Sequence, residues 1–362
     1  MPHAYPILVI ARQAGLSAAT VDRVLNARGG VRGATVDQVH RAISELDRQR
    51  SQLRLTGRTF LVDLVVDAPP RFAEQVRATL EEQVPLVRPA TFRSRFHGLD
   101  GPPVADLAAV LDGIAHRGSQ GVVLKAPDHP LVVDAVDRLS QAGIPVITLV
   151  TDLPASRRIA YVGLDNGSAG ATAAYLLDRW TPPGAAVLVT RGVGSFRGED
   201  ERATGYRATA LHLRTGRRQV DLLDQDGDSR SLQDQVRQAL DADPAIAAVY
   251  SLYATGGNAA TVAALAGAGK AGSAFIAHDL DAENLVLLRA GDLSAVLHHD
   301  LALDLRRACH ALMQAHGALP GSPRSRSSSV QVITPHNIPP DADRPATAHG
   351  RGAGGHPGRM SW

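Results

Sequence analysis

Apolar positions along this chain of 362 residues follow two different spacings. Before about residue 58 they recur every three or four positions, which is typical of amphipathic helices. From residue 60 onward, short apolar runs alternate with stretches of helical spacing. This change predicts a small helical unit followed by a larger α/β body.

Three short helices are predicted within the first 46 residues. Their apolar positions are Ile7, Ile10, Ala11 and Ala14 in the first, Thr20, Val21, Val24 and Leu25 in the second, and Val36, Val39, Ile43 and Leu46 in the third. Between the first two, Gly15 permits a sharp turn, and Ser17 is suited to cap the second helix with its hydroxyl. Two helices joined in this way are typical of a helix-turn-helix, whose second helix enters the DNA major groove.

The body contains eleven runs with the length and composition of β-strands. They cover residues 60–66, 91–96, 121–126, 145–150, 160–165, 185–190, 219–224, 247–252, 273–279, 293–300 and 330–335. Helical stretches lie between most of them, for example at 104–116, 130–142, 167–180, 232–242 and 258–267. Alternating strands and helices predict parallel sheets covered on both faces, and the strands divide most simply into two lobes.

Two segments fit neither unit. Residues 47–59 are polar and basic with few core positions, so we expect a linker between a head (1–46) and a body (60–340). Residues 341–362 are rich in Gly, Pro, Ala and His and lack periodicity. They cannot bury enough apolar surface to offset the entropy of ordering, so we expect a disordered tail.

Positive charge is concentrated in the head. Residues 1–58 contain nine arginines and four acidic residues, whereas the whole chain carries a net charge of only +2. Such a segment suits neutralisation of DNA phosphates with release of counterions, although a solvated basic surface is the simpler alternative. The overall composition, with 44% hydrophobic and 20% charged residues, is that of an ordinary globular protein.

Cysteine usage and hydropathy bear on the cellular compartment. Cys309 is the sole cysteine, which excludes an intrachain disulfide and fits a reducing environment. The N-terminus shows no charged-then-apolar signal, and no apolar run approaches about 20 residues. We therefore expect a cytoplasmic protein with no membrane partner.

The order of these elements resembles the lac-repressor (LacI) family of transcription regulators over residues 7–340. The head carries the resemblance through ARQAGLSAATVDRVLN (11–26) and GGVRGATVDQVHRAISEL (29–46). The body carries it through RGSQGVVLKAP (117–127), AGIPVITLVTD (142–152), YVGLDNGSAGATAAYLL (161–177), AHDLDAENLVLLRAG (277–291) and LSAVLHHDL (293–301).

The resemblance implies a three-helix head and a two-lobed core like type I periplasmic binding proteins, which binds the effector and dimerises. Such cores cross between doubly wound lobes three times. Lobe one is then expected over 60–158 and 301–325, and lobe two over 159–297 and 330–340. The crossovers are expected near 155–160, 296–302 and 326–330.

By the same resemblance, eight residues are expected to contact DNA. Ala18, Ala19 and Arg23 match base-reading positions, Ser17, Thr20, Asn26 and Thr35 match phosphate-contacting positions, and Leu55 matches a leucine that wedges into the minor groove. Arg23 has the geometry to pair with both acceptors of guanine. Packing or capping is the alternative role for the small residues. The head departs from the family at Val9, Asp22 and Arg32, and the linker is shorter.

Effector contacts are expected beyond the carboxyl ends of the strands, where ligands bind in open α/β sheets. Polar residues at those places are Asp67, Lys125, Asp128, Asn258, Asp279, His298 and His299. The resemblance assigns sugar-hydroxyl contacts to Asp279 and Asn258, and His299 stands where a glutamine is common. A family arginine aligns with Asp200, and Arg197 replaces it only from a shifted position.

Other roles stay open for several of these residues. Asp67 and Asp128 also suit turns beside prolines. An acidic pocket also favours an amino or otherwise cationic ligand over a neutral sugar or polyol. His298 and His299 are neighbours on a strand and so point to opposite faces, which argues against a metal site.

We find no catalytic, cofactor or metal motif and expect no enzyme activity. The sequence therefore predicts a dimeric regulator, with repression as the expected mode, that binds a pseudo-palindromic double-stranded DNA operator. Its effector is expected to be a sugar or polyol. A solute-binding protein of a sugar transport system is the main alternative, and a metabolic α/β enzyme is the second.

Overall fold

The computed structural model describes residues 5–55, 58–87, 90–192, 194, 196–213, 216–253, 255–340 and 342; side chains of residues 48 and 50–55 lie outside this description. Helices α1 (Ile7–Ala14), α2 (Ala18–Leu25) and α3 (Gly33–Leu55) form the head. Gly15 ends α1 in the left-handed conformation, at a φ of 64°. Ser17 caps α2 by accepting the Thr20 N–H at 3.1 Å. The head encloses its own core, formed by Ile10, Ala11, Val21, Val39 and Leu46.

The third helix is longer than the sequence predicts. We expected a linker over 47–59, but α3 continues without interruption from Gly33 to Leu55. The segment contains no glycine or proline within the helix after Gly33, and its arginines, glutamines and leucines are good helix formers. Its polar composition removes core positions without ending the helix, so the expected linker is helical over most of its length.

Lobe one is built on a six-stranded parallel sheet with the order β11-β5-β4-β3-β1-β2. Its strands are β1 (Thr59–Asp67), β2 (Thr91–Leu99), β3 (Val122–Lys125), β4 (Val146–Leu149), β5 (Ala160–Leu164) and β11 (Arg326–Ser328). Helices α4 (Pro70–Gln83) and α12 (Leu301–Ala315) contribute to the core on one side, and α5 (Val104–Arg117) and α6 (Pro130–Gln141) to the core on the other.

Lobe two repeats this plan with the strand order β12-β10-β9-β8-β6-β7, in which only β12 runs antiparallel to its neighbour. Its strands are β6 (Ala186–Gly192), β7 (Gln219–Asp224), β8 (Ile246–Tyr253), β9 (Ala274–His278), β10 (Ala295–His298) and β12 (Gln331–Ile333). Its helices are α7 (Asn166–Trp180), α8 (Arg197–His212), α9 (Ser229–Ala242), α10 (Asn258–Gly267) and α11 (Ala282–Ala290). The predicted α/β class with two doubly wound lobes is confirmed.

The boundary between the lobes differs from the expected one. We placed residues from 159 onward in lobe two, but Ala160 pairs with Ile147 of β4 and Val162 pairs with Arg326 of β11. The chain therefore leaves lobe one after Leu164. An apolar strand has the same pattern in either sheet, so the pattern alone did not distinguish them. The polar strand β11 extends lobe one beyond residue 325, and its three residues are too few to show an alternation.

Among the described residues, no helix combines the length and hydropathy needed to cross a lipid bilayer.

Candidate functional site

A cavity of about 340 Å³ lies between the two lobes. From lobe one its walls include Asp67, Phe72, Asp100, Lys125, His129 and Thr151, and from lobe two they include Phe196, Gly198, Glu199, Arg202, Tyr253, Thr255 and Asp279. Most of these residues lie at or just beyond the carboxyl ends of strands from one of the two sheets. This is where backbone and side chains of parallel strands leave room for a ligand.

Asp67 and Lys125 form the floor of the cavity in lobe one. Asp67 ends β1 and accepts the Gly101 N–H at 3.0 Å, and its burial raises the pKa of the carboxyl above its usual range. The Lys125 ammonium donates to the Asp67 carbonyl oxygen at 2.8 Å and lies 3.9 Å from the centroid of the Phe196 ring. Burial lowers the pKa of Lys125 to about 8. Both predicted residues therefore line the cavity, and Lys125 reaches an aromatic ring of the opposite lobe.

Asp279 faces them from lobe two in an uncommon backbone conformation. It follows β9 with a φ of 65°, a left-handed value that Asp adopts more readily than most residues. Asn284 helps to hold this turn by donating to the Asp279 carbonyl oxygen at 2.7 Å. Oδ1 of Asp279 is buried without a hydrogen-bond partner among the described residues. Strained backbone and an unsatisfied acceptor at one residue are typical of a binding position.

His299 lies behind Asp279 and outside the cavity wall. It is 1% exposed, its Nε2 is 3.8 Å from Oδ1 of Asp279, and its Nδ1 contacts Oδ2 of Asp304 at 2.7 Å. Asp304 belongs to α12 of lobe one and also accepts from the Ser328 hydroxyl at 3.1 Å. The expected direct contact of His299 with an effector is replaced by a buried connection from Asp279 to lobe one.

Asn258 also lies behind the wall. It is buried at the start of α10, and its amide donates to Oδ1 of Asn284 at 2.7 Å. Because Asn284 in turn holds the Asp279 turn, Asn258 supports the cavity without lining it. Sequence position alone did not distinguish a residue on the wall from one that lies behind it.

The first turn of α8 places its two predicted residues away from the cavity. Arg197 donates to Oε1 of Glu201 at 2.9 Å and lies 3.6 Å from Oδ2 of Asp128, across the two lobes. The Asp200 side chain is 66% exposed and pairs with Arg191 at 3.2 Å. We expected both residues to line the cavity, but neither does. The helix α8 begins at Arg197 and turns both side chains outward.

Glu199 and Arg202 are buried, charged residues of the cavity wall that the sequence analysis missed. The Glu199 side chain is buried, its Oε2 has no hydrogen-bond partner among the described residues, and burial raises the pKa of its carboxyl to about 7. Arg202 donates to Oδ1 of Asn166 and to the Leu252 carbonyl oxygen, both at 2.8 Å. Residues three apart share one helix face, so a helix beginning at Arg197, which the sequence analysis did not predict, would have indicated this pair.

Close contact between α7 and α8 holds this face against the cavity. A Cβ atom on Gly170 would lie 1.9 Å from the Arg202 carbonyl oxygen, and one on Gly205 would lie 2.1 Å from the Gly167 carbonyl oxygen. Only glycine therefore permits the two backbones to touch here. The position of Glu199 and Arg202 depends on that contact.

Several contacts join the lobes around the cavity. Arg71 of α4 donates to Oδ2 of Asp281 at 2.8 Å and lies 3.9 Å from Glu283, both at the start of the lobe-two helix α11. The Gly198 N–H donates to the Thr151 hydroxyl at 3.0 Å. The two lobes are thus held together by side chains at the rim as well as by the crossing segments.

In the head, α2 presents Ala19 and Arg23 to solvent, whereas Ala18 and Thr20 are half-buried. Thr35 is half-buried in the first turn of α3, and Leu55 is the last residue of that helix, with its side chain outside the described residues. Ser17 is exposed and is engaged as the α2 cap.

Asp22 of α2, where the head departs from the family pattern, accepts hydrogen bonds from two neighbouring side chains. The Asn26 amide donates to its Oδ1 at 2.7 Å, and Arg28 donates to its Oδ2 at 2.9 Å. Asn26, which we expected to contact phosphate, is therefore engaged within the head in this structure. Asp22 orders the end of α2 and lowers the positive charge there.

Comparison with protein-family models gives two matches. Residues 7–50 match the model described as bacterial regulatory proteins, lacI family, and residues 71–316 match the model of a periplasmic binding protein domain. The first covers the head and the second most of both lobes.

Curated relatives and solved structures agree with the second match. The ribose import binding protein RbsB of Escherichia coli is 30% identical over 111 residues, which is 30% of this chain and 37% of that protein. The alignment thus spans little more than a third of the relative's length.

Among solved structures, the glucose-galactose binding protein GanP from Geobacillus stearothermophilus has a TM-score of 0.68 at 18% identity, over 78% of this chain and 99% of its own. A protein assigned as a LacI transcriptional regulator from Bacteroides fragilis has a TM-score of 0.66 at 18% identity. The match covers 77% of this chain and 98% of the other. These similarities show the fold. The chain therefore belongs to the periplasmic-binding-protein domain family and carries, at its start, the helix-turn-helix head of the lacI family of bacterial regulatory proteins.

Proposed function

We propose that this protein is a sequence-specific DNA-binding transcription regulator whose operator affinity is controlled by a small molecule bound between its lobes. The observation that carries the proposal is the combination of a lacI-family head, with Arg23 exposed on α2, and an inter-lobe cavity with unsatisfied buried acceptors. Head and cavity lie in one chain, so ligand and DNA affinities are coupled through lobe one.

The proposed effector is a sugar or polyol. A cavity of about 340 Å³ lies at the small end of the range for small-molecule sites. Its carboxylates accept hydroxyl hydrogens, and its aromatic rings offer flat apolar faces. The relatives support this class, because RbsB is a ribose import binding protein and a solute-binding protein from Burkholderia graminis, 20% identical, was solved with D-arabinose.

The proposed working form is a cytoplasmic homodimer on a pseudo-palindromic operator, with repression as the mode of control. Each head would read one half-site, so that twofold symmetry doubles the base contacts. Closure of the lobes on the effector would change the position of the two α3 helices relative to each other. The family types matched are regulators and binding proteins, and we propose no catalytic activity.

Fluorescence anisotropy of the full chain with DNA from upstream of its own gene tests the proposal. We expect a complex that resists competition by unrelated DNA, weakens steeply with salt and changes affinity when a sugar or polyol binds. Binding of DNA without sequence preference, or a complex insensitive to every ligand that stabilises the protein, would contradict it.

A solute-binding protein of a sugar transport system is the second candidate function. The 111-residue match to a ribose import protein favours it, whereas the match of residues 7–50 to a regulatory family does not. Tight sugar binding together with no affinity for any upstream DNA would favour this candidate over the regulator.

A further inference from the structure

The cavity wall holds more buried acid than buried base. Asp67, Glu199 and Asp279 are 5%, 8% and 4% exposed, and they face the two basic side chains Lys125 and Arg202. Asp100 adds a further carboxylate at the exposed rim. With these groups ionised, the described wall carries an excess of negative charge, which is costly where water is excluded.

His129 does not correct this imbalance. Its Nδ1 accepts the Leu131 N–H at 3.2 Å at the start of α6, so this nitrogen acts as an acceptor and offers no donor to the cavity. The two basic side chains of the wall donate hydrogen bonds to uncharged acceptors. Arg202 donates to Asn166 and to a backbone carbonyl, and Lys125 donates to the Asp67 carbonyl oxygen.

Three buried oxygens of the wall have no hydrogen-bond partner among the described residues. They are Oε2 of Glu199, Oδ1 of Asp279 and the hydroxyl oxygen of Tyr253. Leaving such atoms unsatisfied is costly, so they mark where a ligand supplies donors. Two of the three are carboxylate oxygens, for which a charged donor is the stronger partner.

The protonation behaviour of Glu199 agrees with this charge count. Burial raises the pKa of its carboxyl to about 7, although Arg202 and Lys125 both act to lower it. Near neutral pH the Glu199 carboxyl therefore exchanges a proton, and its protonated form offsets the excess of negative charge. A ligand that brings its own positive charge replaces that proton.

The aromatic residues of the cavity also favour a cation. Phe72, Phe196 and Tyr253 all line it, and ring faces attract ammonium groups. The Lys125 ammonium lies 3.9 Å from the Phe196 centroid and 5.8 Å from that of Phe72, so these rings already interact with one cation.

We propose that the effector carries one protonated amine on a polyhydroxylated frame, as in an amino sugar or amino polyol, and that Glu199 is the residue that selects the amine. This inference rests on the proposed function and narrows its ligand class. A neutral sugar leaves the excess charge in place, and a sugar acid increases it. The hydroxyls of the frame supply donors to Asp279 and Tyr253.

Matched ligand sets test the inference by calorimetry at pH 7.5 with the full-length protein. The sets are sorbitol, 1-amino-1-deoxysorbitol and gluconate; galactose, galactosamine and N-acetylgalactosamine; and mannose, mannosamine and N-acetylmannosamine. In at least one set we expect the amine to bind tenfold or more tightly than its neutral partner. Acetylation removes the charge and is expected to abolish that advantage.

Glu199→Gln keeps the size of the side chain and removes its charge. We expect the preference for the amine over its neutral partner to fall to about twofold or less. Asp200→Asn, at an exposed acid on the same helix, is the matched control and is expected to keep the full preference. Melting temperature and DNA affinity of both variants report on folding.

The outcomes separate this inference from the proposed function. If neutral members bind as tightly as amines, or if no amine binds while specific DNA binding persists, the inference is wrong and the regulator stands. If specific DNA binding is absent as well, the proposed function fails. An amine preference that survives Glu199→Gln overturns the role of Glu199.

Discussion

The head and the cavity use their charged groups in opposite ways. Arg12, Arg23 and Arg41 of the head are exposed. In the cavity wall, by contrast, Asp67, Glu199, Asp279 and Arg202 are buried. Exposed charges cost little to maintain and act over distances that salt shortens. Buried charges are costly and act through direct contact. The head is therefore suited to a long polyanion, and the cavity to one small molecule with matching donors.

The largest effect that separates the two regions is expected from Asp279→Asn. Asparagine tolerates the left-handed backbone at this position, so the variant removes the charge and leaves the turn intact. Loss of a buried charged partner costs about 2–5 kcal/mol, and effector affinity is expected to fall by roughly 30-fold or more. Calorimetry with the tightest-binding ligand of the matched sets checks this.

The head supplies the control for that variant. Specific DNA affinity without effector is expected to stay within about twofold of the wild type, because Asp279 contacts no head residue among those described. Asp200→Asn is expected to change neither affinity. An unchanged effector affinity in Asp279→Asn would show that the ligand binds elsewhere.

The second effect is a pH dependence of stability confined to the body. Since burial raises the pKa of Glu199 from 4.5 to about 7, the folded state binds the proton more tightly, and stability falls as pH rises between these values. Glu199→Gln is therefore expected to stabilise the unliganded protein at pH 8, by up to about 3 kcal/mol, and to have little effect at pH 4. Denaturant titrations at both pH values measure the difference.

If Glu199→Gln stabilised the protein equally at both pH values, the raised pKa of Glu199 would be contradicted, because the gain in stability would reflect packing and not ionisation. If the wild type and Glu199→Gln were equally stable at pH 8, this would show that the Glu199 carboxylate pairs with a charged group in solution.

The third effect concerns the exposed charges. Arg23→Ala is expected to weaken specific DNA binding by about 1–3 kcal/mol and to relax base preference at one position of each half-site. Effector binding is expected to be unchanged. Anisotropy titrations with the operator and with single-base variants measure both quantities.

Arg230→Ala, at an exposed arginine of lobe two, is the matched control and is expected to leave DNA affinity unchanged. An unaltered base preference in Arg23→Ala would move base reading to another residue of α2.

The smallest effect is expected from the α2 cap. Ser17→Ala removes the oxygen that accepts the Thr20 N–H and is expected to destabilise the head locally by about 1 kcal/mol. Hydrogen exchange of α2 amides is expected to accelerate about fivefold, while exchange in the body is unchanged. Ser44→Ala, at an exposed serine of α3, is expected to have no such effect; equal acceleration in both variants would contradict the capping role.

Local features of the sequence predicted the elements well where one physical cause dominates. Gly15 and Ser17 determine the turn between α1 and α2 within a few residues, and apolar runs identify buried strands. The end of α3 and the sheet to which β5 belongs depend on contacts between distant segments, which a single pattern does not contain. The places of Asp67, Lys125 and Asp279 in the cavity lining could be predicted because these residues lie at or just beyond strand ends.

Which of the other residues line the cavity depends on how deeply each is buried and on the direction of its side chain. His299 and Asn258 lie behind the wall and do not line it, where they contact Asp279 and Asn284, respectively. Glu199 and Arg202 reach the wall because glycine contacts between α7 and α8 bring that helix close. Such displacements of a few ångströms follow from tertiary packing and have no counterpart in strand spacing.

The uninterrupted helix α3 has a mechanical consequence for control of transcription. Its 23 residues form a rod of about 34 Å at a rise of about 1.5 Å per residue. Leu55, at the base of the rod, and Thr59, at the start of β1, are four positions apart in the chain. A tilt of about 10° at the base would sweep the far tip by roughly 6 Å, about half the width of a major groove. A small change in the tilt of this rod would therefore be enough to misalign the head with a half-site.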